Sequence, residues 1–93
     1  MVLLALAISA AFTAAPTGAT TTPKKCGTIT VHGKNFAVRG HLLPCRFSRR
    51  NSRRFLADGS HPRGWSCRRY PPQLTRIAFQ CRKGGRSYYA IRR

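Results

Sequence analysis

Hydrophobic and polar positions divide the chain into stretches of different period. Residues 1–15 are apolar and carry neither a charge nor a turn former. About twenty such residues are needed to span a bilayer core, so this run is too short for a transmembrane helix. It fits the apolar centre of a secretory signal peptide, although no Lys or Arg precedes it. Pro16, Gly18 and Ala19 then break a helix and end in small residues, which places cleavage after Ala19. No cysteine closes the apolar run, so a bacterial lipid anchor is not supported. Residues 20–25 are polar and Thr-rich and read as a flexible tail. One domain is expected over 26–93.

Within that domain the first signal is strict alternation. Residues 28–32 and 35–39 alternate on either side of Gly33 and Lys34. A two-residue loop that starts with Gly suits a type II′ hairpin. That register sets Val31 opposite Phe36 and Ile29 opposite Val38, with all four on one face. The period then changes. Cys45, Ser48, Ser52, Phe55 and Leu56 recur at helical spacing, which predicts a helix over 44–57. Pro44 suits its first turn and Gly59 its end. Arg46, Arg49, Arg50, Arg53 and Arg54 occupy its other face.

The last third is extended. Residues 65–70 read as a short strand, closed by Pro71 and Pro72. Residues 75–82 alternate, with Ile77, Phe79 and Cys81 on one side. A three-residue loop over 83–85 leads into a strand over 86–92. That loop length puts Tyr89 and Ile91 on the Phe79 face. It leaves Arg76, Gln80, Arg82, Tyr88 and Arg92 on the other. The predicted fold class is α+β, a small antiparallel ββ-α-βββ sheet with one helix on its apolar face.

Composition changes this picture in two ways. Four cysteines in a chain of 93 residues behind an export signal read as a framework of two disulfides. Three connectivities are open. The predicted inward positions of Cys45 and Cys81 favour joining them, which leaves Cys26 with Cys67. A zinc set of Cys26, His32, His41 and Cys45 matches no familiar finger spacing. The charge is the second change. Eighteen Lys and Arg stand against one acidic residue, a net +17. Paired-carboxylate catalysis and oxygen-ligated hard-cation sites need more Asp and Glu than that, so both are excluded.

The order of landmarks resembles a known group. Cys26-Gly27 opens a hairpin, and Cys45 sits early in an Arg-rich helix. The segment Pro62-Arg63-Gly64-Trp65-Ser66-Cys67 begins the second half, and Cys81-Arg82-Lys83-Gly84-Gly85 makes a basic hairpin. Together these resemble small secreted four-cysteine basic proteins of high-GC Gram-positive bacteria, actinobacteria-like in their preference for Arg over Lys. The resemblance implies a fold and an extracellular location and carries no established activity.

The charge carries the functional expectation. Excess positive charge attracts phosphate, sulfate and anionic headgroups, and Arg forks suit phosphate. The expected contacts are Arg46, Arg50, Arg53 and Arg54 on the helix, and Arg76, Arg82, Tyr88 and Arg92 on the sheet. The expected partner is an anionic polymer or surface: nucleic acid, a teichoic-type polymer or anionic lipid. The domain is expected to be monomeric, non-catalytic and free of cofactors.

Three other classes compete. A membrane-active cationic protein would show a broad apolar face beside the basic one, and the helix stripe is narrow. A secreted ligand or inhibitor would dock an acidic protein through loops 60–64 and 70–74. A metal-independent nuclease would need two of His32, His41 and His61 to converge on one phosphorus, and nothing in their spacing makes them do so. Trp65 reads as a core residue near Cys67 rather than a stacking platform. Asp58 reads as a partner for the Gly59 turn or a nearby Arg.

Overall fold

In the computed structural model, which describes residues 22–93, five strands and one helix follow the expected order. They are β1 Lys24–Val31, β2 Lys34–His41, α1 Cys45–Asp58, β3 Ser66–Arg69, β4 Ile77–Lys83 and β5 Arg86–Arg92. The export segment expected over residues 1–19 lies outside the described residues. The strands form one antiparallel sheet in the order β1-β2-β5-β4-β3. The helix covers one face of β1, β2 and β5. Among the described residues the other face has no helix over it. The fold is the small α+β architecture that the pattern predicts.

The first hairpin turns one residue earlier than expected. Its corner is His32-Gly33, with φ of 52° and 77°. Two left-handed residues make a type I′ turn, whose twist matches that of the strands it joins. His32 Nε2 lies 3.5 Å from the Ala57 carbonyl at the end of the helix. Ile29 therefore faces Phe36, and Val31 faces Lys34. The partner moves by two residues, so every side chain keeps its face. Ile29, Phe36 and Val38 are buried, as their alternation requires.

The second hairpin departs further. Its loop is the two residues Gly84-Gly85, with Lys83 paired to Arg86. Shortening the loop by one residue changes the parity of the pairing, which exchanges the faces of β5. Tyr88 and Ala90 point into the core and are fully buried. Tyr89 and Ile91 point the other way. A bulge at Ala78 adds a second exchange. Ile77 pairs with Ile91 on the open face, while Phe79 pairs with Ala90 on the covered one. The expectation that Ile77 shares a face with Phe79 is thereby corrected.

The expected disulfide pairing is also corrected. The bridges are Cys26–Cys45 and Cys67–Cys81. Cys67 and Cys81 are direct cross-strand partners on β3 and β4, with Cα atoms 4.0 Å apart. A bulge in β1 between Lys25 and Thr28, with Gly27 at φ 91°, turns Cys26 inward beneath the start of the helix. Cys45 thus lies above β1, three strands away from Cys81 in the sheet order. A Cα separation that large cannot be bridged.

The helix begins after Pro44 and ends at Gly59, whose left-handed backbone lets its N–H reach the Phe55 carbonyl at 2.8 Å. Its buried face is Ser48, Asn51, Ser52 and Phe55. Small serines let it approach the sheet closely. A Cβ on Gly40 would lie 3.3 Å from Ser48 Cβ, 3.6 Å from Cys26 Sγ and in overlap with Ser48 Oγ. Gly40→Ala is expected to lower stability by about 1–3 kcal/mol through overpacking. Adding Ser48→Ala removes the worst overlap and should restore part of that loss, read as a coupling in chemical denaturation.

Aromatic rings fill the space between helix and sheet. Phe55 and Phe79 lie 4.6 Å apart, and Tyr88 meets Phe79 edge-on. Trp65 is buried against Phe47 at 5.6 Å and Tyr88 at 5.2 Å, which makes it a core residue.

Candidate polyanion-binding faces

Arginine is placed in three structural roles. In the first, the guanidinium closes the fold. Arg92 Nη1 donates to the carbonyls of Thr75 and Ile77 at 3.0 and 3.2 Å, and its Nη2 donates to that of Tyr70 at 2.6 Å. This half-buried side chain ties the β3–β4 loop to the end of β5. Arg76 in turn donates to the Arg92 carbonyl. Arg49 reaches the Cys26 carbonyl at 3.0 Å from the half-buried flank of the helix. Arg69 stacks over the Phe55 ring at 4.6 Å and lies at the helix C-terminus, where a cation is favoured.

In the second role, arginines project from the helix. Arg46, Arg50, Arg53 and Arg54 are all exposed, as the helical spacing requires. Asp58 stands one turn beyond Arg54. Its Oδ1 accepts from the Ser60 amide at 2.9 Å and from the Ser60 hydroxyl. These two bonds hold its carboxyl below the usual carboxylate range. It is the sole acidic side chain of the sequence, so the remaining cations have no carboxylate to neutralise them.

The third group lies on the sheet face without a helix. Pairing registers define its rows. One runs Lys25, Arg39, Tyr89, Gln80, Arg68 across β1, β2, β5, β4 and β3. The next runs His41, Ser87, Arg82, Ser66. On the other side of the first lie Ala37, Ile91 and Ile77. The middle of this face is half-buried, and Arg68 and Arg82 are exposed. A shallow depression of about 550 Å³ over β3 and β4 is bordered by Arg68, Tyr70, Gln80 and Arg82.

The expected sheet stripe of Arg76, Arg82, Tyr88 and Arg92 is therefore not assembled. Arg82 stands on the open face, and Arg76 lies at its rim. Arg92 is engaged with carbonyl oxygens, and Tyr88 is in the core because of the hairpin parity. Arg39, Arg68 and Tyr89 take their places. Sequence reasoning misses these three because Arg39 is read only as the end of a hairpin, Arg68 falls in a short strand whose faces are not assigned, and Tyr89 is assigned to the wrong face. The two-glycine corner of the second hairpin is the signal that places Tyr89.

The histidines occupy separate places. His32 and His41 flank opposite ends of β2, and His61 Nδ1 lies 3.1 Å from the Pro62 carbonyl. The cysteines of the Cys26, His32, His41, Cys45 set are joined to each other, so no thiolate remains in it. Among the described residues no group of three or more metal-ligating side chains gathers, and no helix is long and apolar enough to cross a membrane. Comparison of the chain with family models, with curated proteins and with solved structures finds no match.

Proposed function

We propose that this is a secreted, disulfide-stabilised binding domain for extracellular or cell-envelope polyanions. One observation carries the reading. In a chain of net charge +17, guanidinium groups gather on two surfaces, Arg46, Arg50, Arg53 and Arg54 on the outer helix face and Arg39, Arg68 and Arg82 on the open sheet face. Positive surfaces of this kind bind polyanions by releasing their counterions, and guanidinium forks match phosphate and sulfate oxygens. The two disulfides are consistent with an oxidising compartment. Asp58 is the sole acidic side chain that could compete with a polyanion for these arginines.

A membrane-disrupting role is the less supported alternative. Among the described residues the exposed large hydrophobics are Leu42 and Leu74. Leu42 follows β2 at one end of the sheet, and Leu74 precedes β4 at the other, so they form no joint apolar surface. A membrane-active helix needs such a surface.

The test is binding of the oxidised protein to a labelled nucleic acid across a salt series. A reduced and alkylated sample keeps the charge and loses the bridges. The folded protein is expected to bind more tightly and to keep its advantage at about 150 mM salt, where unorganised charge is largely screened. Equal binding and equal release by both samples would overturn the reading, as would no binding.

A further inference from the structure

The open sheet face is not uniformly charged. Tyr89 stands at its centre, between a cationic side and an apolar side. Arg39 is its direct neighbour on β2, and Gln80 its neighbour on β4. Arg82 lies diagonal to it, beside Ser87, and Arg68 lies two strands away next to Gln80. With strands about 4.8 Å apart, Arg39 and Arg68 stand about 14 Å from each other across the row. Ile91 and Ile77 flank Tyr89 on the opposite side, paired to each other. Tyr70 borders the depression that also holds Arg68 and Gln80. Among the described residues the Tyr89 ring makes no aromatic contact, unlike Tyr88, whose ring meets three others.

A simple polyanion uses the arginines and leaves the tyrosine and isoleucines without a partner. A lipid surface uses apolar groups that protrude, and Ile77 and Ile91 are half-buried in the plane of the sheet. A single-stranded nucleic acid uses both sides at once. Its phosphates are met by guanidinium groups and its bases by a flat ring and an apolar strip. Gln80 adds an amide that can donate to and accept from a base edge. Duplex bases are stacked on each other and cannot reach a tyrosine on a sheet.

The geometry points to the open face as a site for single-stranded nucleic acid, with a base stacked on Tyr89 and phosphates on Arg39, Arg68 and Arg82. This rests on the polyanion reading above and narrows it to one ligand class. The helix arginines then supply general attraction, and the sheet supplies the discrimination.

The test compares two labelled oligomers of about ten nucleotides at about 150 mM salt, one of thymidine and one abasic with the same phosphates. The intact protein is expected to bind the thymidine oligomer about tenfold more tightly, the size of one stacked base. Tyr89→Leu keeps a strand-compatible side chain and is expected to abolish that difference. Tyr89→Phe is expected to preserve it, and Arg53→Ala on the helix to weaken both oligomers alike. Equal binding of both oligomers by the intact protein, unchanged in Tyr89→Leu, would overturn this inference and leave the polyanion reading standing. Failure to bind either oligomer would overturn both. A loss in Tyr89→Leu confined to vesicles of anionic lipid would overturn it in favour of a membrane surface.

Discussion

Replacing Cys67 and Cys81 together by alanine is expected to lower folding stability by about 3 kcal/mol, and replacing Cys26 and Cys45 by a similar amount. The bridges close loops with sequence separations of 14 and 19 residues, for which loop closure alone gives values of that size. A folded region of this length has a net stability of only about 4–10 kcal/mol. Losing one bridge leaves a marginal domain, and losing both leaves an unfolded one. Each bridge also anchors an edge of the sheet. Cys67–Cys81 holds the four-residue β3, which pairs on one side only, and Cys26–Cys45 holds β1 under the helix. Self-repulsion from the net +17 adds to the deficit, so single-bridge variants should regain stability as salt rises. Urea denaturation at low and high salt reads both effects. Digestion without reduction tests the pairing itself, since a peptide joining Cys45 to Cys81 would refute the arrangement of helix and sheet.

The two hairpins explain why one half of the sheet is legible in the sequence and the other is not. In both, the turn differs from the expected one by a single residue. In the first, the loop keeps its length and slides, so the partner changes by two and Ile29, Phe36 and Val38 stay inside. In the second, the loop shortens by one, and all of β5 turns over. Period-two alternation marks which residues share a face, but not which of the two faces is the core. In β5 both sets contain a tyrosine and an aliphatic residue, Tyr88 with Ala90 and Tyr89 with Ile91. Hydrophobicity therefore cannot choose between them, and the corner decides. The helix arginines were legible because their helical spacing opposes a distinct buried stripe. The disulfides were not, because their pairing depends on a bulge in β1 and on a strand order that no local pattern encodes.

The same parity controls where binding chemistry can sit. Had β5 kept the expected faces, Tyr88 and Arg92 would stand beside Arg82 on the open face. Instead Arg92 secures the β3–β4 loop through three carbonyl oxygens, and Tyr89 stands between Arg39 and Gln80, with Arg68 beyond Gln80. The candidate site is thus a product of strand order. Its central row takes Arg39, Tyr89, Gln80 and Arg68 from four strands, β2, β5, β4 and β3, and the aromatic core packs behind it.

Substitutions at Tyr88 test that core directly. Tyr88→Ala is expected to cost about 3–5 kcal/mol, because the ring is fully buried against Phe47, Trp65 and Phe79. Tyr89→Ala, on the open face, is expected to cost about 1 kcal/mol or less. The reversed assignment would exchange these two values. Tyr88→Phe separates the ring from its hydroxyl. Among the described residues that buried hydroxyl has no hydrogen-bond partner, nor have those of Ser48 and Ser52. Removing it is therefore expected to leave stability unchanged or raise it by about 1 kcal/mol. The pH dependence follows from the same burial, which pushes the Tyr88 phenol up to about 12 from an ordinary 10.0. The folded state keeps a proton that the unfolded chain releases near pH 10. The contribution is fully present below that pH and is lost as pH rises toward about 12. Tyrosinate absorbance should show a late step near pH 12 that disappears in Tyr88→Phe, and the variant should lose less stability than the parent across that window. A parent with no late step, from which Tyr88→Phe removes amplitude near pH 10 instead, would place Tyr88 in solvent and return β5 to the opposite face.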